Sequence, residues 1–527
     1  MRAGSRWDGC ASADSPAIRF SLSQLVPPEV AVAKRNPQQE QADLREARKK
    51  VRERASQRHA EFHARKEHEQ VAEQAKMTAM PIHHEHAAGI DVGDASHWVC
   101  VGNHPDGTPN VREFPAHTAG LRQLVEWLKQ WQITTVAMEA TGVYAHVLFL
   151  TLIEQGFHAL ITPPQFARQI KGRPKTDKRD CQWIQRLHML GFLPTVFQPD
   201  EATQTLRDYV RQRANHVRLS GQHIQRMQKA CILMNLKLTT VLGDITGVTG
   251  LKIIRAIIKG ERDAKTLAAL RDRRCKHTVA EIVEALDGRY RPEHVMELKC
   301  ALAMWESYQK VIANLDECIS QQLNAMRKST GLPPLSKKTR VRGRKPHDPR
   351  FDVRAALYHL VGIDLTSIEG IDEIHALTLI SELGTDFTKW PTVKHFASWL
   401  GLCPNWKKTG GKVKSSATRK GKNRAATALR LAAWSLMRSK SYLGAYLRRQ
   451  RGRLGAPKAI TATAHKLARI LYNLMRYGVE YMQKTEAEYA EQERARQEKS
   501  FHRRARELGY EVHRPPAKDA EAMPQLA

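Results

Sequence analysis

The sequence predicts an α/β domain, then a long helical region that resembles a coiled coil, then a second, mainly helical domain. Two observations lead to this prediction. Between His86 and about Asp200, short β-prone runs alternate with segments of helical spacing, which is typical of a mixed sheet covered by helices. Beyond Asp200 the strand signals fade and helical periodicity continues. The chain has 527 residues and 42% hydrophobic content, enough to bury more than one core.

The predicted α/β domain covers residues 86–199. It begins with two β-prone runs around a turn, and each later apolar run has either the length of a strand or the spacing of a helix. The predicted elements are strands at 87–93 and 97–101, a helix at 121–131, a strand at 134–139, a helix at 143–155 and a strand at 157–162. This order indicates helices on the faces of the sheet.

The remaining regions differ in composition. Residues 200–330 carry helical periodicity at 206–237 and 294–327, with a glycine-containing break at 243–250. We assign the others as a charged, partly disordered amino-terminal extension (1–85), a basic linker (331–352), a mainly helical carboxy-terminal domain (353–483) and a charged tail (484–527).

The net charge of +31, from 85 Lys and Arg against 54 Asp and Glu, predicts nucleic acid as the partner, because dispersed cations are favoured on phosphate backbones. The eight cysteines form no CxxC pair, which indicates a reducing compartment. No apolar run has the length of a membrane span. We therefore expect a cytoplasmic protein that does not bind membranes.

Four acidic residues from three predicted elements could converge. Asp91 lies inside the first strand, Glu139 ends a neighbouring strand, and Asp177 and Asp180 share one face if their segment is helical. Hard carboxylate oxygens suit Mg²⁺ or Mn²⁺, and phosphoryl transfer on DNA uses such ions at both the attacking and the leaving oxygen. Taken singly, each acid also fits a turn cap, an arginine pair or a solvated helix face.

The joint arrangement resembles the DEDD-type transposases of the IS110 insertion-sequence family from about His86 to Tyr481. The matching stretches are Ala88-Gly89-Ile90-Asp91-Val92-Gly93, Met138-Glu139-Ala140-Thr141-Gly142-Val143-Tyr144, and Gly172-Arg173-Pro174-Lys175-Thr176-Asp177-Lys178-Arg179-Asp180-Cys181. The resemblance implies a RuvC-like, RNase H-type domain whose four acids bind the metal ions. It also implies cleavage and rejoining of DNA strands.

Two features of the carboxy-terminal domain concern phosphate binding. The stretch 367–374, before an apolar helix at 376–383, looks like a helix-hairpin-helix element, although an ordinary helical packing unit fits equally well. A glycine-rich basic loop follows, leading into a helix that starts near Asn423. Its candidate nucleic-acid-binding residues are Lys407, Lys408, Lys412, Lys414, Arg419, Lys420, Lys422 and Arg424.

The same loop contains hydroxyls that could attack or grip a phosphodiester. Relatives in the IS110 family carry a nucleophilic serine directly before a glycine here, and in this chain Thr409 occupies that position. Threonine has the hydroxyl but is β-branched and more hindered. Three hypotheses follow: Thr409 is the nucleophile, Ser415 or Ser416 replaces it, or this copy is catalytically impaired.

Other readings of the residues remain open. A RuvC-like nuclease or resolvase would use the metal site alone, and a packaging protein would explain the charge but not the four acids. An actin-like ATPase would need a second Asp-x-Gly phosphate loop, which we do not find. His83, His84 and His86 lack partners at zinc-finger spacing. The family resemblance further implies a structured guide RNA, element-end and target DNA, and a homodimer or homotetramer.

Overall fold

The computed structural model describes residues 81–104, 106–140, 142–167, 176–327, 332–335, 347–419, 421, 423–478, 491, 494–495 and 497–511. Most of the predicted amino-terminal extension, much of the basic linker and most of the charged tail lie outside these residues. The chain divides into two compact units, Met1–Val196 and Phe197–Ala527.

The first unit contains a five-stranded mixed sheet with strand order β3-β2-β1-β4-β5. β1 pairs antiparallel with β2 and parallel with β4, which in turn pairs parallel with β5. The elements are β1 (Ala87–Val92), β2 (Ser96–Asn103), β3 (Pro109–Pro115), α1 (Thr118–Gln130), β4 (Thr135–Glu139), α2 (Tyr144–Glu154), β5 (His158–Thr162), α3 (Pro164–Ala167) and α4 (Asp177–Met189). This architecture fits an RNase H-like domain, as the family resemblance implies.

Strand β3 is the strand of this sheet that the sequence did not predict. Prolines begin and end it, and only Asn110 and Phe114 are buried along its seven residues. It forms an edge of the sheet, pairing with β2 alone. Edge strands tolerate proline and polar residues because one side of their backbone needs no ladder partner, so β3 lacks the apolar alternation of an inner strand.

The two faces of the sheet are covered differently. On one face Ile90, Val99 and Met138 join a core that includes apolar residues of α1 and α2. On the other face α4 lies directly against β1. A Cβ atom placed on Gly89 would lie 2.1 Å from the backbone nitrogen of Gln185. The approach of helix to strand therefore depends on the absence of a side chain at Gly89.

The second unit begins with a helical region whose elements are α5 (Glu201–Leu233), α6 (Leu238–Val241), α7 (Val248–Lys259), α8 (Ala264–Ala269), α9 (Val279–Leu286) and α10 (Pro292–Ala325). The long helices α5 and α10 pack against each other and are antiparallel. The beginning of α5 lies with the end of α10, since Leu206 shares a core with Ile319. The end of α5 lies with the beginning of α10, since Met227 shares a second core with Leu298. The predicted break at 243–250 includes the connection between α6 and α7, but α7 already begins at Val248. The short helices complete the second of these cores, so the region is more compact than a simple arm.

The rest of the second unit is mainly helical, as predicted. Its helices are α11 (Val353–Val361), α12 (Glu373–Leu383), α13 (Val393–Trp399), α14 (Arg424–Ser435), α15 (Tyr442–Leu454) and α16 (Ala456–Tyr477). Phe387, Trp390, Phe396 and Tyr472 form an aromatic cluster in the core, where the Tyr472 hydroxyl donates to the Trp390 carbonyl oxygen at 2.8 Å. Burying this hydroxyl with a partner avoids a desolvation cost of about 1–3 kcal/mol.

The glycine-rich segment is a β-hairpin, whereas the sequence analysis described it only as a loop. Its strands are β6 (Lys407–Thr409) and β7 (Lys412–Ser415). Gly410 and Gly411 connect them with φ values of 54° and 75°. Positive φ at both central residues is the signature of a type I′ turn, which matches the twist of the paired strands. The Gly-Gly pair was the signal that predicts this hairpin.

Candidate active site

Asp91 and Glu139 are neighbours on one face of the sheet. β1 and β4 are parallel and in register from Ala87 with Thr135 to Ile90 with Met138, so the next residues along, Asp91 and Glu139, are also adjacent. Both are partly exposed, at the carboxyl ends of otherwise buried strands. Because side chains alternate between the faces of a strand, Asp91 lies on the same face as Gly89. That is the face covered by α4.

Helix α4 contributes the other two acids. Thr176 caps it, its Oγ1 accepting from the Arg179 backbone nitrogen at 3.3 Å, and both Asp177 and Asp180 lie in its first turn. Negative charge is favoured there because the helix dipole and free N–H groups stabilise anions. The segment is helical, which is the condition under which the two acids were expected to share one face.

Two contacts near the other end of α4 fix where its first turn lies. The Gln185 side chain donates to the Ala87 carbonyl oxygen at 3.2 Å, and His188 Nε2 lies 2.9 Å from Thr135 Oγ1. Burial, with smaller contributions from two nearby histidines, lowers the pKa of His188 to about 4, so this contact is made by a neutral ring. Since α4 runs opposite to β1, these contacts place its amino-terminal acids toward Asp91.

The electrostatics of Asp91 show that the four acids share one environment. Its pKa rises from 3.8 to about 6, first because the carboxyl is partly buried and then because Asp180, Asp177 and Glu139 repel its negative charge. Burial and nearby like charges both disfavour ionisation of a carboxyl. The surroundings of Asp91 therefore favour binding of a proton or a cation by its carboxyl group.

The acids are close enough to interact, but they are not gathered as ligands of one ion. Among the described residues, no three His, Cys, Asp or Glu side chains lie close enough to hold a metal. Mutual repulsion favours such spacing between carboxylates. In chemistry the donors fit a divalent cation, since all are hard oxygen ligands of the type that Mg²⁺ and Mn²⁺ prefer.

Two further residues on this face were missed in the sequence analysis. Thr162 pairs with Glu139 in the parallel ladder, is fully buried, and its Oγ1 has no hydrogen-bond partner within the described part of the chain. Trp98 pairs with Asp91 on the antiparallel side and is half-buried. A row of Trp98, Asp91, Glu139 and Thr162 thus crosses four strands. Only the strand register reveals it.

The second candidate site lies on the hairpin. Thr409 is the last residue before the turn and pairs with Lys412. It is exposed, and its hydroxyl has no hydrogen-bonded base among the residues that the structure describes. Lys407 and Ser415 also form a pair. Because paired residues and alternate residues share a face, Thr409, Lys407 and Lys412 lie on one face of the hairpin. A register shift between Lys407 and Lys408 brings Ser415 opposite Lys407.

The alternative hydroxyls differ in their surroundings. Ser415 is half-buried, and its Oγ accepts from the Ala417 backbone nitrogen at 3.2 Å. Ser416 is exposed. The predicted cations of this segment are exposed wherever the structure describes them, namely at Lys407, Lys408, Lys412, Lys414, Arg419 and Arg424. Lys420 and Lys422 lie outside the described residues.

Asn423 begins the helix after the hairpin, as predicted. Its side chain accepts from the Ala426 backbone nitrogen at 3.0 Å and caps α14.

The turn predicted within 367–374 is present at Gly370, whose φ is 86°. A Cβ there would lie 2.7 Å from the Ala432 carbonyl oxygen. This glycine therefore brings the turn into close contact with α14, a packing role that does not require a phosphate.

The segment that contains His83 and His84 packs locally. The backbone nitrogens of His83 and His84 both donate to the Met189 carbonyl oxygen, and the His84 ring lies 4.8 Å from the His188 ring. These contacts attach the segment before β1 to the end of α4.

None of the helices in the described residues combines the length and apolar character needed to cross a membrane.

Comparison with known families finds two matches along the chain. A DEDD transposase model of IS110 elements matches residues 88–233, which contain all four acids. A second model, described as Transposase IS116/IS110/IS902 family, matches residues 364–448, which contain the hairpin. No curated protein matches the chain significantly. The two family matches, in the expected order along one chain, place this protein in the IS110 family of transposases, which are enzymes that cleave and rejoin DNA.

Proposed function

We propose that this transposase cleaves DNA at a divalent-cation site formed by Asp91, Glu139, Asp177 and Asp180. The observation that carries the proposal is the placement of these acids: Asp91 and Glu139 end adjacent strands, and the helix packed on the same face has Asp177 and Asp180 in its first turn. The raised pKa of Asp91, caused by its burial and by the other three carboxylates, supports this placement. Grouping four acids costs free energy, and a bound cation offsets that cost directly. The donor set suits Mg²⁺, or Mn²⁺ in its place.

When bound, the cation supplies stabilisation of negative charge on the reacting phosphate. The chain itself orients the carboxylates that would bind the cation. Asp91 and Glu139 are fixed by the register of β1 and β4, while Gly89 sets how closely α4 brings Asp177 and Asp180. Thr162, a buried hydroxyl beside Glu139 without a partner in the described structure, is suited to donate to a carboxylate or to a water molecule at the site.

For the strand-transfer step, we propose Thr409 as the nucleophile. Its oxygen attacks phosphorus, the bond from phosphorus to the leaving sugar oxygen breaks, the hydroxyl proton passes to solvent, and the leaving oxygen takes up a proton. The product is a phosphodiester between Thr409 and the DNA, which a second strand can reverse. Lys407 and Lys412, on the same hairpin face, favour the phosphate through their charge.

A nuclease without a covalent intermediate is the second candidate. The exposed Thr409 hydroxyl, which has no hydrogen-bonded base among the described residues, favours it, because a nucleophile is normally activated by an adjacent base or a lowered pKa. In that mechanism water attacks at the carboxylate site, and the hairpin cations only hold the strand. Ser415 is the alternative nucleophile, with Ser416 next to it.

Trapping of a covalent adduct tests these mechanisms. The full chain is incubated with Mg²⁺ and DNA that contains the element ends, denatured, digested and mapped by mass spectrometry. We expect an adduct at Thr409, its loss in Thr409→Ala and its retention in Thr409→Ser. An adduct at Ser415 or Ser416 would move the nucleophile there. Cleavage without an adduct, unchanged in Thr409→Ala, would establish the nuclease, and cleavage that survives full chelation would refute the cation site.

The partners of the reaction belong to the same proposal. We propose that a structured guide RNA contributes to the choice of DNA site and that the active form is a homodimer or homotetramer. The large basic excess supports RNA binding in general. Recombination that continues at full rate after all co-purified RNA is removed would contradict the RNA proposal, and a monomer that completes strand exchange would contradict the oligomer.

A further inference from the structure

Helix α14 exposes an apolar surface in the most basic part of the chain. Trp434 is 61% exposed, and Leu431, one turn earlier, is 50% exposed. Together with Ser435, Met437 and Arg438 they line an open cleft of about 450 Å³. Clefts of roughly 300–1,000 Å³ accommodate small planar ligands. The exposed faces of Trp434 and Leu431 therefore offer a planar ligand an apolar surface to bury.

The charge around this cleft is of one sign. No Asp or Glu occurs in the sequence between Asp386 and Glu480, whereas 21 Lys and Arg do. Two of these cations are held close to the cleft wall. Arg448 donates to the carbonyl oxygens of Met437 and Ser439, and Arg451 Nη1 lies 3.5 Å from Met437 Sδ. Arg438 itself is exposed and forms no ion pair within the described structure.

An exposed aromatic face surrounded by cations favours binding of a polyanion that also carries flat rings. An apolar protein surface would gain little from a wall of arginines, and an acidic protein segment would not use the tryptophan face. Nucleic acid supplies both phosphates and rings. In a duplex the base faces are covered by their neighbours, whereas unpaired bases stack on exposed aromatic side chains.

We infer that Trp434 is a stacking platform for an unpaired base of single-stranded nucleic acid, with flanking phosphates held by Arg438 and Arg448. The cleft is lined by residues other than the carboxylates and Thr409, and the inference rests on the proposed function only in that the protein binds nucleic acid. Trp434 binds the strand and takes no part in bond breaking. The chemistry is common to DNA and RNA, because both expose base faces when unpaired.

The test measures binding of the full chain to labelled oligonucleotides of about 10 nucleotides by fluorescence anisotropy, with chelator present so that no cleavage occurs. We expect Trp434→Ala to weaken binding of single strands by roughly 5- to 100-fold and Trp434→Phe to stay within about threefold, because phenylalanine can still stack. Trp131→Ala is the control, since Trp131 is an exposed tryptophan of the other unit.

Further ligands separate stacking from charge. An abasic strand of the same length should bind wild type and Trp434→Ala equally, while Arg438→Gln should reduce the slope of log K against log salt concentration by about one. Parallel series with DNA and RNA strands show which sugar the site accepts, and a Trp434-dependent preference for either supports the inference. Unchanged binding of base-containing strands by Trp434→Ala would overturn it.

The outcome is distinguishable from failure of the proposed function. If Trp434→Ala binds single strands normally while wild type still cleaves DNA with Mg²⁺, only the stacking site is refuted. If wild type binds no oligonucleotide at all, the stacking site and the nucleic-acid chemistry both fail. If duplex and single strands depend equally on Trp434, the cleft reads the backbone and not unpaired bases, which also overturns the inference.

Discussion

The carboxylates Asp91 and Glu139 of the first unit and the hairpin of the second unit are positioned by different structural features. Asp91 and Glu139 are the ends of buried parallel strands, and a helix that packs against a glycine covers their face. Thr409 lies on a short exposed hairpin whose geometry depends on two glycines in a tight turn. The first site is therefore positioned by the core of its unit, whereas the second relies on local backbone conformation and remains accessible to a ligand.

The largest effect that separates the two sites should come from Glu139→Gln. The change keeps the shape but removes a charged oxygen ligand, so we expect strand cleavage with Mg²⁺ to fall about 1,000-fold, corresponding to several kcal/mol of lost charge stabilisation. Thermal stability should stay close to wild type, because Glu139 is partly exposed. Glu154→Gln, at an exposed position of the same unit, is the control. Cleavage within threefold of wild type would remove Glu139 from the site.

Gly89→Ala tests whether the core positions the first site. The added Cβ would meet the backbone of α4 at Gln185, which cannot move aside as a side chain can. We expect the first unit to lose about 3 kcal/mol of unfolding free energy, measured by chemical denaturation. Gly221→Ala, in helix α5 with open space around it, should instead be neutral or stabilising by up to about 1 kcal/mol. Equal effects of the two changes would contradict the packing argument.

Asp91→Asn tests whether the buried and crowded carboxylate of Asp91 destabilises the fold, separately from its part in cleavage. The folded-state pKa of Asp91 is raised to about 6 from 3.8, so between these values the folded chain binds more protons than the unfolded chain and stability falls as pH rises. Without divalent cations, asparagine should therefore stabilise the protein by about 1–3 kcal/mol at pH 7–8. The gain should disappear below about pH 4.

Denaturation curves of wild type and Asp91→Asn at several pH values, with chelator, check this expectation. Cleavage activity of the variant should be lost at every pH. A variant less stable than wild type at pH 8 would mean that the Asp91 carboxylate forms net favourable contacts in the cation-free fold, and the burial and repulsion described above would then not dominate.

The sequence predicted the inner strands of the sheet, helices α1 and α2 and a helix start near Asn423, because these depend on patterns within a few residues. The four acids were found by their position in such elements and by family resemblance. Thr162 and Trp98 could not be found in this way, since each becomes part of the row only through pairing with a strand distant in sequence. Trp434 was missed for a different reason: an apolar residue at helical spacing normally predicts a core position.

The hairpin offers the smallest expected effect and completes the comparison. Gly411 has a φ of 75°, so Gly411→Ala should cost about 1–2 kcal/mol locally. Gly410→Asn creates an Asn-Gly turn, which the type I′ conformation favours. Because the hairpin is exposed, global unfolding should change little in either variant, whereas hydrogen exchange of the Thr409 and Lys412 amides should accelerate only in Gly411→Ala. A drop in global stability would show instead that the hairpin is part of the core, and the contrast between the two sites would not hold.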